Sequence, residues 1–248
     1  MRIRHLFRYP IKGLGAETLE QADLIAGRTI AGDRAFAVTH GASAYDPDAP
    51  AWQRRGNFQV VANSPALAMV TLTRQDGRLR LEHPDADPLT FDPDEASQYD
   101  TLADWVADLP GARPGPCSVA RLADRALTDM AQPYVSIHNR ASLSELSDRF
   151  GRAMAMHRFR ANVWIDGADP WDEEDWIGRE ITLGTARLKV CEPVGRCAAP
   201  SADPDNGERD SDIIGALRDL RGTKNFGVYA EVIADGTIAP GDTARLEG

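Results

Sequence analysis

Residues Gly111 to Pro116 read GARPGP, and this run decides how the rest of the chain is parsed. Glycine admits backbone conformations that end regular structure, while proline lacks an amide donor and restricts the residue before it. The run predicts a boundary between two parts, residues 1–112 and 113–248, joined so closely that they pack together. Upstream, Leu102, Trp105, Val106 and Leu109 recur at helical spacing, with Asp100 as N-cap and Gly111 just beyond the end. Short apolar stretches precede this helix at Ala22–Ile25, Ala35–Thr39, Phe58–Val61, Ala68–Leu72 and Leu79–Leu81, separated by Gly, Asp, Asn and Pro. The first part therefore reads mainly as β-sheet. Gln75-Asp76-Gly77 predicts a hairpin, since Asp-Gly tolerates the positive φ of tight turns. At the start, Ile3, His5 and Phe7 alternate as a strand that breaks at Tyr9-Pro10, and a turn carrying Lys12 and Gly13 follows. The Asp/Pro-rich stretch Asp46 to Pro50 reads as a loop.

Downstream of the boundary, strands and helices mix. Tyr134–Ile137 reads as a strand, and Ser142 with Glu145 forms a capping-box pattern opening a helix through Phe150. Strands are predicted at Ala161–Ile165, Glu180–Leu183, Ala186–Val190, Val228–Ile233 and Thr243–Leu246, with a helix at Ile213–Leu220 capped by Ser211 or Asp212. The fold class is mainly β with a few helices.

Composition narrows the function. Hydrophobic residues make up 42% of the 248 and charged residues 27%, ordinary globular usage. No apolar run approaches the roughly 20 residues a membrane helix needs, and the basic start MRIRHLFRYPIKG lacks the hydrophobic stretch of a secretory signal. A cytoplasmic protein without a membrane anchor is expected. A net charge of −10 argues against nucleic acid as a partner. Three cysteines, Cys117, Cys191 and Cys197, are too few for a disulfide framework and fit a reducing compartment.

Cys-x-x-Cys, His-Glu-x-x-His and a phosphate loop ending in Lys-Ser/Thr are all absent from the sequence, which disfavours structural zinc, zinc proteases and nucleotide hydrolysis. Asp203 to Gly207 (DPDNG) places its glycine one position early for a calcium loop and reads as a turn. Cys197 follows Arg196 in an irregular segment between Pro193 and Pro200. An adjacent cation favours thiolate, the form that binds soft metals, so both a ligand role and a small-residue role are open from these residues alone. Cys191 continues a strand and reads as a buried apolar side chain, and the five histidines are scattered without ligand spacing. His138 and Asn139 stand before a helix whose N-terminal amides could receive an anion.

Six short strings occur in order: YPIKG at Tyr9–Gly13, GDRAF at Gly32–Phe36, RFRANVWIDG at Arg158–Gly167, GRCAAPSADPDNG at Gly195–Gly207, FGVYAEV at Phe226–Val232 and IAPGD at Ile238–Asp242. Together they resemble the molybdenum-cofactor sulfurase C-terminal (MOSC) family. The layout is similar to that of the mitochondrial amidoxime-reducing component and its bacterial relatives. The resemblance implies a MOSC-type β-barrel, residues 113–248, packed against an N-terminal MOSC-associated β-domain, residues 1–112. It implies molybdenum cofactor (Mo-molybdopterin) bound with Cys197 as metal ligand and catalytic residue. Cofactor contacts are implied at Lys12, Gly13, Arg34, Ala141, Ser142, Arg160, Gly195, Arg196 and Tyr229. A phosphate-bearing cofactor calls for cations and backbone amides, which these residues could supply. Two departures stand out: Gly13 occupies a position often held by a small polar residue, and Ala161 one often held by proline. The implied activity is reduction of small N-hydroxylated compounds, with electrons from a separate protein, because no cysteine-rich ferredoxin module follows. The alternative is a cofactor or sulfur carrier that uses Cys197 without reductase activity.

Overall fold

The computed structural model describes residues 1–123 and 125–247. Its first half contains β1 (Arg2–Arg8), β2 (Glu17–Thr18), β3 (Ala22–Leu24), β4 (Phe36–Val38), β5 (Thr71–Gln75), β6 (Arg78–His83), β7 (Ala86–Phe91) and α1 (Tyr99–Ala107). The second contains β8 (Val119–Arg121), β9 (Val135–Asn139), α2 (Arg140–Arg149), β10 (Val163–Asp166), β11 (Glu180–Leu183) and β12 (Ala186–Gly195). It ends with α3 (Ile213–Arg221), β13 (Asn225–Ala234), β14 (Gly236–Ile238) and β15 (Ala244–Leu246).

Strands dominate, as the apolar patterning predicts. Eight form a curled sheet in the order β15-β11-β12-β13-β9-β10-β1-β2, and β5-β6-β7 form a separate meander. The β9–β10 pairing is parallel, with α2 in the crossover, whereas β1 meets β10 antiparallel. Strands from before GARPGP thus join strands from after it: β1 pairs with β10, β3 with β14 and β4 with β8. One core, including Ile3, Leu6, Ile137, Ile165, Leu188 and Val232, fills the concavity of the large sheet. A second, including Phe36, Leu79, Phe91, Leu102 and Val106, seals the meander against α1. Among the described residues no helix is long and apolar enough to cross a membrane.

Local signals hold where the backbone decides and fail where tertiary packing does. The β5–β6 hairpin turns through Asp76 (φ 50) and Gly77 (φ 82), the conformation Asp-Gly tolerates. Phe58–Val61 is not a strand: it makes one bridge to Thr39 and then turns, its apolar residues serving burial and not pairing. Ala68–Leu72 divides between a 3-10 turn, Pro65–Met69, and the start of β5. Helix α1 begins at Tyr99, and Asp100 lies in its first turn, not at the cap. Helix α2 is capped by Asn139, whose side chain accepts from Ala141 N, so Ser142 is inside the helix. Asp212 caps α3 by accepting from Gly215 N. Strand β12 runs through Pro193 to Gly195, and register shifts on both sides accommodate the proline.

Candidate functional site

A cavity opens where the sheet meets the segments that follow β1 and precede β9. It encloses about 870 Å3 with its open mouth included. Lys12, Gly13 and Arg34 come from the first half, Ser136 and His138 from β9, Arg158 and Arg160 from the turn before β10, Gly195 to Cys197 from the end of β12, and Tyr229 from β13. Among the described residues six cations line it, Lys12, Arg34, Arg55, Arg158, Arg160 and Arg196, against one carboxylate, Asp129. In a chain of net charge −10 that concentration marks a site for an anion.

The cations differ in how they are held. Arg158 is buried and paired bidentately with Asp210 at 2.7 and 2.8 Å, with Asp203 at 3.1 Å, so it fixes the DPDNG turn. Lys12 is buried and donates to Leu127 O at 2.8 Å and to Asp129 at 2.5 Å. Burial pulls its pKa below the ordinary lysine value despite the neighbouring carboxylate. Burial acts to raise Asp129, but the Lys12 charge and hydrogen bond outweigh it and hold the carboxyl below its usual range.

Arg34 and Arg160 form a pair around Tyr9. Both take left-handed backbone, φ 46 and φ 53, which side-chain-bearing residues rarely adopt. Their guanidinium carbons lie 4.5 and 4.4 Å from the Tyr9 ring centroid. Arg34 is tied to Asp33 at 2.5 Å and to Arg160 O at 2.7 Å, and Asp33 overcomes burial to raise its pKa. Among the described residues Arg160 has only Leu14 O, 2.6 Å from Nη1, and its Nη2 is buried without a partner. Burial, and then the charge of Arg34, bring Arg160 down to about 10. The Tyr9 hydroxyl is also buried and unpartnered, and burial pushes it up to about 12.

Arg196, adjacent to Cys197 in the chain, is engaged by the protein. Its Nε and Nη2 donate to Phe226 O at 3.1 and 2.6 Å, Nη1 donates to Phe159 O at 2.8 Å, and Nη2 also meets His138 Nε2. Burial lowers Arg196 to about 10, and burial followed by the Arg196 charge lowers His138 well below its ordinary value. Cys197 itself is a half-buried free thiol in the irregular segment following β12. Gly13 has φ 86, and a Cβ there would fall 2.4 Å from Gln59 O, which explains why no larger residue follows Lys12. Tyr229 stacks on Tyr134 with ring centroids 5.8 Å apart.

The structure thus brings together Lys12, Gly13, Arg34, Arg160, Gly195, Arg196, Cys197 and Tyr229. It does not bring Ala141 and Ser142 there. Ser142 Oγ is buried 2.8 and 2.9 Å from the two oxygens of Glu173 and accepts from Trp171 N, while Ala141 N is taken by Asn139. Cys191 is half-buried and bonded to Lys189 O, not enclosed as its strand position predicts, and neither it nor Cys117 lines the cavity. Sequence reading misses Thr128, Asp129 and Ser136, which carry no local signal, and does not single out Asn162 within its motif; His138 does stand before a helix, as expected, but as the penultimate residue of β9 it also lines the cavity.

Two sequence profiles cover this architecture: the MOSC N-terminal beta barrel domain over residues 1–116 and the MOSC domain over residues 124–245. The chain belongs to the MOSC family. This MOSC protein is 24% identical to mitochondrial amidoxime-reducing component 1 of Mus musculus, across 99% of its own length and 82% of that protein. It is 40% identical to the molybdenum cofactor sulfurase of Homo sapiens over 73 residues, and 29% identical to that of Anopheles gambiae over 127 residues. The matched regions span only 8% and 16% of those two sulfurases. Among solved structures, the YUAD protein from Bacillus subtilis aligns over 99% of this chain and 94% of its own, at 13% identity and a TM-score of 0.47.

The residues of the MOSC cavity fit the family's cofactor. Among the described residues no three His, Cys, Asp or Glu side chains converge to hold a bare metal ion. A metal at Cys197 would therefore draw its other ligands from a cofactor, and the dithiolene of molybdopterin is of that kind. The Arg160 Nη2, buried without a partner among the described residues, is a donor that an anionic oxygen would satisfy.

Proposed function

We propose that the chain holds molybdenum cofactor in this cavity, with the Cys197 thiolate on the metal, and reduces small N-hydroxylated compounds. The observation that carries the reading is the junction of a free thiol with a buried, incompletely satisfied arginine pair in one cation-lined cavity. The relative named for amidoxime reduction, matched along nearly the whole chain, supports the choice of reaction.

Bound there, the cofactor supplies two-electron redox chemistry, in which R–NH–OH, two electrons and two protons give R–NH2 and water. The electrons come from a separate protein. Arg160 would receive the cofactor phosphate through Nη2, and Lys12 would turn to it from Asp129. Arg34 holds Arg160 by accepting no proton and donating to its carbonyl, so the pair stays fixed as charge enters. Val60 and Val61 close one wall with apolar surface and keep water from the anion, which strengthens each contact. Residues 1–112 and 113–248 act here as two domains sharing one site.

The test is protein purified from a host that makes the cofactor. Molybdenum by mass spectrometry and pterin by fluorescence of its oxidised form are expected in equal amounts, with turnover of benzamidoxime by reduced viologen. Absence of both metal and pterin overturns the proposal; loaded protein without turnover leaves a carrier of cofactor or sulfur on Cys197.

A further inference from the structure

The buried ring of His138 has no part in the reading above, yet it is built into the site. It is fully buried in β9, paired in register with Trp164 of β10 and packed on the Trp164 and Phe226 rings at 5.1 and 5.3 Å. Room for it is made by Gly227, at φ 79, where a Cβ would come within 2.6 Å of the imidazole. A bulkier residue at 227 and this histidine cannot coexist. The ring's Nε2 faces Arg196 Nη2. Since a guanidinium only donates, Nε2 accepts in this contact, which leaves the imidazole neutral with its proton on Nδ1, itself buried without a partner among the described residues.

We propose that His138 is the positioning residue for Cys197, acting through Arg196. Arg196 is the residue immediately before the thiol, and its side chain reaches Phe226 of β13, His138 of β9 and Phe159 before β10. With Phe226 O, Phe159 O and His138 as acceptors, four of its five N–H groups have protein partners on three separate elements. The two carbonyls fix the plane of the guanidinium, and the imidazole closes the remaining side. The segment that carries Cys197 leaves β12 at Gly195 and begins a 3-10 turn at Ala199; the Arg196 amide, which donates to Lys224 O at 3.0 Å, fixes its backbone, and the Arg196 side chain anchors it to β9 and β13. A neutral acceptor suits this task, because a carboxylate there would cancel the cation beside the thiol and a second cation would repel it.

The role of the thiol as metal ligand rests on the proposed function; the positioning of the thiol does not, and the two are tested apart. Full-length His138→Leu removes the acceptor at similar volume, and His138→Gln restores an acceptor through its amide oxygen. In cofactor-free protein, alkylation of Cys197 by iodoacetamide, followed on its own peptide, is expected to be about tenfold faster in His138→Leu, the scale of one charge-assisted hydrogen bond. His138→Gln is expected within about twofold of wild type, whereas the peptides of Cys117 and Cys191 should not change in either variant. In loaded protein, His138→Leu should keep its pterin and lose the cysteine-sulfur signature in X-ray absorption. Equal alkylation rates in wild type and His138→Leu, or equal acceleration in both variants, overturns the proposal, the second by showing that ring packing alone matters. If wild type binds no cofactor, the proposed function fails while the alkylation series still decides this one.

Discussion

Arg160→Met separates a binding role from a structural one, because the two predict opposite patterns. Methionine keeps an unbranched chain and removes the guanidinium. In the free protein this loses the 2.6 Å bond from Nη1 to Leu14 O, at a cost of about 1.5–3 kcal/mol for a charged donor. It also removes Nη2, buried without a partner, a defect of about 1–3 kcal/mol, and relieves repulsion from Arg34 across the Tyr9 ring. The terms offset to within about 1 kcal/mol, so Tm should move by no more than about 4 °C in a chain of this size. Binding is not offset. An anion on Nη2 gains a charge-assisted bond that methionine cannot make, about 1.5–3 kcal/mol or roughly 10- to 150-fold in Kd. The assay is pterin per protein after gel filtration, beside thermal unfolding of the cofactor-free form. A fall in Tm beyond about 10 °C would show that Arg160 serves the fold, and unchanged pterin retention would show that the anion lies elsewhere.

Cys197→Ser should abolish metal-centred activity and the sulfur signature while reducing pterin content less, since a neutral hydroxyl is a poor ligand for a soft metal; an unaltered X-ray absorption spectrum would exclude Cys197 as ligand. Cys191→Ser, at a half-buried position bonded to Lys189 O, should change unfolding free energy by under about 1 kcal/mol and leave the metal spectrum intact. Gly227→Ala should destabilise by about 2–4 kcal/mol, from the positive φ and the clash with His138, measured by denaturant unfolding. Because the pKa of His138 is depressed in the folded state, the unfolded chain binds the extra proton below pH 6.5, and stability falls as pH drops from there. His138→Gln should remove up to about 1.4 kcal/mol per pH unit of that slope, read from urea unfolding between pH 5 and 7.

What the sequence makes legible is what neighbouring residues settle between themselves. The Asp76-Gly77 turn, the Asp212 cap and the alternation of β11 and β13 are local, and the structure has them where the pattern puts them. Phe58–Val61 is misread because burial against distant chain, and not pairing, makes it apolar. Ser142 looks like a cap because a serine three residues before a glutamate is the right pattern; Asn139 is the actual cap, and Ser142 is turned to Glu173, which arrives from far along the chain. Five of the six cations reach the cavity at motif positions that family resemblance supplies; Arg55 does not. Asp129 and His138 come with no motif, and Asn162 sits inside one without being singled out; their meaning depends on partners such as Lys12, Ser136 and Arg196 that only folding brings near.

Strand β1 has an unusual wait ahead of it during synthesis. Leu6 lies opposite Val163, and Met1 O receives the amide of Ala244, so β1 finds these partners more than 150 residues further along the chain. At the usual pace of about 5–20 residues per second, roughly 10–30 s pass between the making of β1 and of β10. Throughout that interval the edge of β1 that β10 will cover is open to other chains, with the apolar Ile3, Leu6 and Phe7 uncovered and only the short β2 pairing on the opposite edge. A chaperone that holds extended, apolar segments near the ribosome would raise the yield of folded protein, and slower translation of residues 10–160 would lower it.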